Sequence, residues 1–141
     1  MLFRWWINFK LRKLPEHQRI GRLGEYAACK FLKRKGLRFV YANFQARRGE
    51  IDLIFRDLIC LVFVEVKTRS SEKWTRPAAA VDYDKKRLIS EAALEYLHLL
   101  GRPRISFRFD IVEILMGDGE IREIRHIPNA FPLSPPHRYT P

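Results

Sequence analysis

Three side chains between Gly49 and Arg69 are of the right types and spacing to do chemistry. Asp52 lies on one apolar run, and Glu65 and Lys67 lie on the next. Side chains alternate between the two faces of a strand, so Glu65 and Lys67 point one way while Val64 and Val66 point the other. Charges on the inner strands of a small domain persist only when they are paired or bound to a cation. Two carboxylates are a usual protein contribution to Mg²⁺, which leaves the rest of its octahedron to water and phosphate. A cation held there serves phosphodiester hydrolysis by neutralising phosphate charge and activating a water. Lys67 can then hydrogen-bond the attacking water or stabilise the charge developing on phosphorus. Short Glu-x-Lys strings also occur as solvated surface pairs. What distinguishes this one is the acid on the preceding strand and the basic helix before it.

The elements that must position these groups read as follows. From about Gln18 to Lys35, Ile20, Leu23, Ala27, Phe31 and Leu32 recur at helical intervals, and Gly36 stands where the helix should stop. Glu25 falls at the edge of that apolar stripe, facing whatever the helix packs against. Strands are predicted at Leu37–Tyr41, Glu50–Phe55 and Leu58–Thr68, with Arg56-Asp57 as the tight link of an antiparallel hairpin. A second helix is predicted from Lys85 to Leu100, capped by Asp82 or Asp84, with Leu88, Ala92, Tyr96 and Leu99 on its buried face. Strands Ser106–Leu115 and Ile121–Ile127 follow, joined by Gly-Asp-Gly. The order predicts a single-domain α/β fold, a mixed five-stranded sheet flanked by helices, over residues 18–127. Residues 128–141 contain five of the eight prolines and read as a tail with little fixed structure.

Composition narrows the partners. The formal charge is +11, and residues 1–48 carry all of it, with 13 Lys/Arg against two acids. A field concentrated in this way suits a polyanion. Residues 1–17 form a basic aromatic arm that can stack on bases, lie on a membrane surface, pack on a neighbouring subunit or simply pack on its own domain. The arm lacks a signal-peptide cleavage pattern, and no apolar segment is long enough for an integral membrane helix. Cys29 and Cys60 form no CxxC, and the four histidines have no ligand spacing. The pattern argues against a structural zinc, Cys60 reads as a small buried apolar residue, and a reducing, cytoplasmic compartment fits.

Residues around the centre extend this reading. Arg47 and Arg48 precede the Asp52 strand and are placed to hold phosphate. Arg69 and Lys73 flank the exit from the Glu65 strand, and Trp74 can stack on an exposed base. Glu50 falls on the same face as Asp52 by alternation. Lys85, Lys86 and Arg87 open a helix against its dipole, which hints at an anionic partner.

The string Gly21-x-x-Gly24-Glu25-x-x-Ala28, then Gly49-Glu-Ile-Asp-Leu-Ile, then Phe63-Val-Glu-Val-Lys-Thr-Arg69, resembles the YraN-like family of small bacterial proteins. That family in turn resembles the PD-(D/E)xK nuclease superfamily, most closely the archaeal-type Holliday-junction resolvases. The resemblance covers roughly residues 18–115. It implies a restriction-endonuclease-like sheet, Mg²⁺ or Mn²⁺, a nucleic-acid substrate (DNA, branched or structured) and often a homodimer. By it, Asp52 takes the place of the motif's aspartate, Glu65 its acidic metal ligand, Lys67 its lysine and Glu25 the acid of the first helix. Ile51 stands where the superfamily pattern has proline. The expectation is a metal-dependent nuclease, and the alternative is a non-catalytic nucleic-acid-binding module of the same fold.

Overall fold

A computed structural model describes residues 14–70 and 81–141. The elements run α1 (Glu16–Arg34), β1 (Arg38–Ala46), β2 (Gly49–Asp57), β3 (Cys60–Ser70), α2 (Tyr83–Leu99), β4 (Ser106–Gly117) and β5 (Glu120–Phe131). The five strands form one sheet in the order β1-β2-β3-β4-β5. Its pairs are antiparallel except β3 with β4, which run parallel with α2 lying between them in the chain. The result is the expected α/β class, a mixed sheet with one helix on each face.

Alternation along the strands assigns the two cores. Leu53, Phe55, Val62, Val64, Val112 and Ile114 pack with Ala28, Cys29 and Leu32 of α1. Ile54, Leu61, Phe63, Phe109 and Ile111 pack with Ile89, Ala92, Ala93 and Leu97 of α2. Each face removes a separate set of apolar side chains from water, and each helix contributes only one stripe.

Two glycines set how closely the helices approach the sheet. A β-carbon on Gly24 would collide with Thr68 Oγ1, so only glycine lets α1 lie against β3 at that point. Gly49 has φ +133° and faces the Leu88 carbonyl of α2, where a β-carbon would come within 2.9 Å. That backbone region is open to glycine and strained for other residues.

Several expectations from the sequence are corrected. The hairpin turn is Leu58-Ile59, not Arg56-Asp57, because Asp57 pairs with Cys60 in register and accepts a hydrogen bond from Arg108. The tip residues are almost fully exposed, and Leu58 takes φ +54°. Strand β1 continues to Ala46, and its Phe44 packs edge-on against Tyr96 of α2 at 5.2 Å. The buried stripe of α2 is Ile89, Ala93 and Leu97, with Ala92, and Leu99 is exposed. Ile20 and Leu23 of α1 are also exposed, and Cys60 is only half-buried while Cys29 is buried.

The proline-rich segment has fixed structure. β5 runs through Pro128 to Phe131, whose ring stacks on Phe109 at 5.0 Å. Beyond it, the Ser134 N–H donates to Ser90 Oγ at 3.0 Å, and the Tyr139 hydroxyl donates to the Pro103 carbonyl. Proline removes ladder donors, but on the edge strand this costs nothing on the outer side. Of the N-terminal arm, residues 1–13 lie outside the described residues, while Glu16 and His17 begin α1.

Candidate active site

The ladder between β2 and β3 ends at the pair Leu53–Val64. Two residues further along β3, the Val66 N–H donates instead to Asp52 Oδ2 at 2.8 Å. A side chain has replaced the backbone acceptor, and the two strands part. Ile51 and Leu53 sit in opposite cores, so the alternation of β2 slips at Asp52. The splay opens a notch in which groups from both faces of the sheet meet.

Glu65 faces Asp52 in this notch, and each is only 6% exposed. Their carboxyl groups are within hydrogen-bonding reach of one another. Two carboxylates have no donor to share, so the contact requires a proton or a cation. Burial, and then the Asp52 charge, push the Glu65 carboxyl up to about 8, against the opposing pull of Lys85 and Lys67. Burial also raises Asp52, opposed by the Val66 N–H and by Glu65. Glu65 Oε2 is buried without a hydrogen-bond partner.

Glu25 reaches the notch from α1, positioned by the close approach at Gly24. Burial and then Asp52 raise its carboxyl to about 7, opposed by Arg22. Arg22 Nη1 holds Glu25 Oε2 at 3.0 Å and also donates to Asn43 Oδ1 of β1. Glu50 stands close enough to raise both Glu25 and Asp52, and accepts a 2.7 Å hydrogen bond from Gln45. From the other face, Lys85 Nζ lies 3.6 Å from Glu65 Oε1. The Asp82 carboxylate caps α2 by accepting from the Lys85 N–H at 2.8 Å, which fixes the first turn where this lysine sits.

The structure thus sets Glu65 beside Asp52 and brings Glu25 close enough to Asp52 to feel its charge, with Lys67 exposed two residues after Glu65. Arg47 and Arg48 have exposed side chains next to α2: the Arg47 backbone N–H donates to Glu95 at 3.1 Å, and the Arg47 and Arg48 guanidiniums stand 3.8 Å from Glu95 and 3.9 Å from Glu91. Arg69 is half-buried near Glu113. Lys73 and Trp74 lie outside the described residues. Sequence reasoning missed two groups. Lys85 was visible only as a misplaced positive charge at a helix start. Glu113, which pairs in register with Lys67 and is 1% exposed, was signalled by an acid in the apolar run Ile111–Leu115.

The donor set fits a divalent cation in one respect that the side chains alone decide. Two adjacent buried carboxyls, one with an orphaned oxygen, lack positive charge rather than more acid. Among the described residues, no three Asp, Glu, His or Cys side chains converge as a complete ligand cage. An oxygen-seeking cation that keeps most of its waters is therefore the type that suits the pair.

Fold and notch together define a single α/β domain whose mixed sheet carries a buried carboxylate pair where two central strands part. The chain belongs to the family described as "Uncharacterised protein family UPF0102", whose model matches residues 24–114 and so spans Glu25, Asp52, Glu65, Lys67 and Lys85. It is similar to the UPF0102 protein of Trichlorobacter lovleyi, 40% identical over 119 residues, covering 84% of this chain and 94% of that protein. The UPF0102 proteins of Chlorobium phaeobacteroides (44% over 117 residues, 79% and 93%) and Symbiobacterium thermophilum (45% over 115 residues, 81% and 97%) are similar to it as well. No helix among the described residues is long and apolar enough to cross a membrane.

Proposed function

We propose that this protein is a metal-dependent nuclease that hydrolyses phosphodiester bonds in DNA, with branched or structured DNA as the favoured form. The observation that carries the reading is the Asp52–Glu65 pair: two carboxyls buried side by side where β2 and β3 part, with Glu65 Oε2 left without a hydrogen-bond partner. Asp52 and Glu65 would hold Mg²⁺ or Mn²⁺, which when bound offsets phosphate charge and makes water a better nucleophile at neutral pH.

The chain's own residues have distinct parts. The Val66 N–H fixes Asp52 Oδ2 and so holds this carboxylate beside Glu65. Glu25, with a carboxyl raised to about 7, is poised to accept a proton from an attacking water, since a base works best near the ambient pH. Arg22 holds that carboxyl in place. Lys67 is exposed at the rim, where its ammonium can bind a non-bridging phosphate oxygen as negative charge builds. Substrate is drawn in by the basic N-terminal third. Within the described residues Arg19, Lys30, Lys33, Arg34 and Lys35 are exposed along α1 and just after it.

The test is incubation with Mn²⁺ or Mg²⁺ and labelled linear, flapped, single-stranded and four-way-junction DNA, with Lys67→Ala beside the wild type. Cleavage by the wild type alone is the expected result. Tight, salt-sensitive binding with no cleavage by either protein would replace the enzyme with a binding module.

A further inference from the structure

Lys85 occupies an adverse position unless it has a partner. It lies in the first turn of α2, where the helix's unpaired N–H groups favour negative charge. Its ammonium stands 3.6 Å from Glu65 Oε1, over a carboxylate whose side chain is 7% exposed, while Lys85 itself remains 39% exposed. The lysine acts on both buried carboxyls, and on Glu65 more strongly than the motif lysine Lys67 does. The buried pair is thus partly neutralised from within the chain. The neutralising group is tethered to a helix end by a flexible four-carbon stem, open to solvent on one side.

We propose that Lys85 is the built-in counter-ion of the Asp52–Glu65 pair, and that a divalent cation must displace its ammonium to bind there. This rests on the reading of the pair as a metal site and adds how that site is kept stable and selective. Two cations cannot share one small carboxylate notch without repelling each other, so the lysine lowers metal affinity by competition. Linkage makes the effect reciprocal: whatever free energy Lys85 contributes to the metal-free pair is subtracted from metal binding. Weakly bound ions are then excluded until they can outcompete the lysine. On displacement, the freed ammonium stays at the edge of the notch.

The experiment is isothermal titration of Mn²⁺ into the full-length wild type, Lys85→Met and Lys86→Met, with thermal unfolding of each protein in EDTA. Lys86 is the matched control, since its ammonium lies over the Phe131 ring at 5.6 Å. Coupling of this kind is typically worth at least about fivefold in affinity. Lys85→Met should therefore bind Mn²⁺ about fivefold more tightly or better, and unfold at lower temperature in EDTA. Lys86→Met should keep the wild-type affinity. Equal or weaker Mn²⁺ binding by a folded Lys85→Met protein would overturn the counter-ion role and leave the metal site standing. No Mn²⁺ binding by the wild type would overturn both.

Discussion

Gly24 of α1 lies so close to Thr68 of β3 that a β-carbon on the glycine would overlap the threonine hydroxyl. The contact joins the helix that bears Glu25 to the strand that bears Glu65 and Lys67, three residues and one residue before Thr68. Gly24→Ala must push the helix away from the strand or force Thr68 off its rotamer. Overpacking of this kind costs roughly 1–3 kcal/mol. Thr68→Ala removes the nearest clashing atom, and the next neighbour lies at 3.4 Å. The double variant should therefore recover most of the lost stability. Denaturant unfolding of the four proteins checks this, and additive effects would mean that the glycine is required for some other reason.

Asp52→Asn keeps an oxygen for the Val66 N–H and brings a donor to Glu65, while removing a buried negative charge. The metal-free protein should be as stable as the wild type or more so. The rise in melting temperature that Mn²⁺ gives the wild type should vanish, because a ligand stabilises only through the state it binds. Thermal unfolding with Mn²⁺ and with EDTA measures both effects. A retained Mn²⁺ shift would place the cation elsewhere.

Glu65 sets a pH dependence of unusual sign for an acid. Its carboxyl is raised in the folded state, from 4.5 to about 8, so the folded protein holds a proton that the unfolded chain has lost. Its contribution to stability is intact below pH 4.5 and is lost as pH rises towards 8. Across that window stability falls as pH rises, because the folded state holds the proton more tightly. Glu25, raised to about 7, adds in the same direction over a narrower window. Metal-free wild type should therefore lose stability between about pH 5 and 8, and Glu65→Gln should flatten that decline. A flat wild-type profile in EDTA would contradict the buried, shared-proton state.

Asp110 acts in the opposite sense, away from the notch. It is fully buried on β4 and accepts hydrogen bonds from Arg108 Nε at 2.9 Å, the Asn129 N–H at 2.9 Å and His126 Nε2 at 2.8 Å. Burial alone would raise its carboxyl, but the hydrogen bonds from His126, Arg108 and Asn129 outweigh it and hold it below its ordinary value. Its contribution is present above the unfolded aspartate value and falls away as pH drops through the folded one. Asp110→Ala strips these donors, and Arg108 Nη2 at 3.2 Å, of their acceptor and should cost about 3–5 kcal/mol. Chemical denaturation at neutral pH measures this, and a loss below about 1 kcal/mol would show that water takes over the acceptor role.

Much of the architecture was legible in local pattern. Ala27, Phe31 and Leu32 on α1, and the apolar runs of β2 and β3, announced their elements because period and composition are properties of neighbouring residues. Boundaries were less legible where distant contacts decided them. β1 runs on to Ala46 because Phe44 finds Tyr96, and β5 runs on to Phe131 because Phe109 offers a stacking face. Neither partner is near in sequence. The stripe of α2 falls one position away from its expected place because the helix is apolar on more than one side, so that only the sheet selects Ile89, Ala93 and Leu97 over Leu99.

The chemical types at the candidate site follow from the chain read residue by residue: two acids on adjoining strands, a lysine two residues after the second, and an acid on the first helix. Strand alternation and helix periodicity are short-range geometry, so local pattern assigns them to their elements, while the slip of β2 at Asp52 is absent from it. Their states depend on the packed fold. The parting of β2 from β3 at Asp52 gave that carboxylate the Val66 N–H, and removal from water raised Glu65. Lys85, twenty residues beyond Glu65 in the chain, became the counter-charge of that carboxylate. Proximity and desolvation are set by how the faces of the sheet are covered, and no local pattern encodes them.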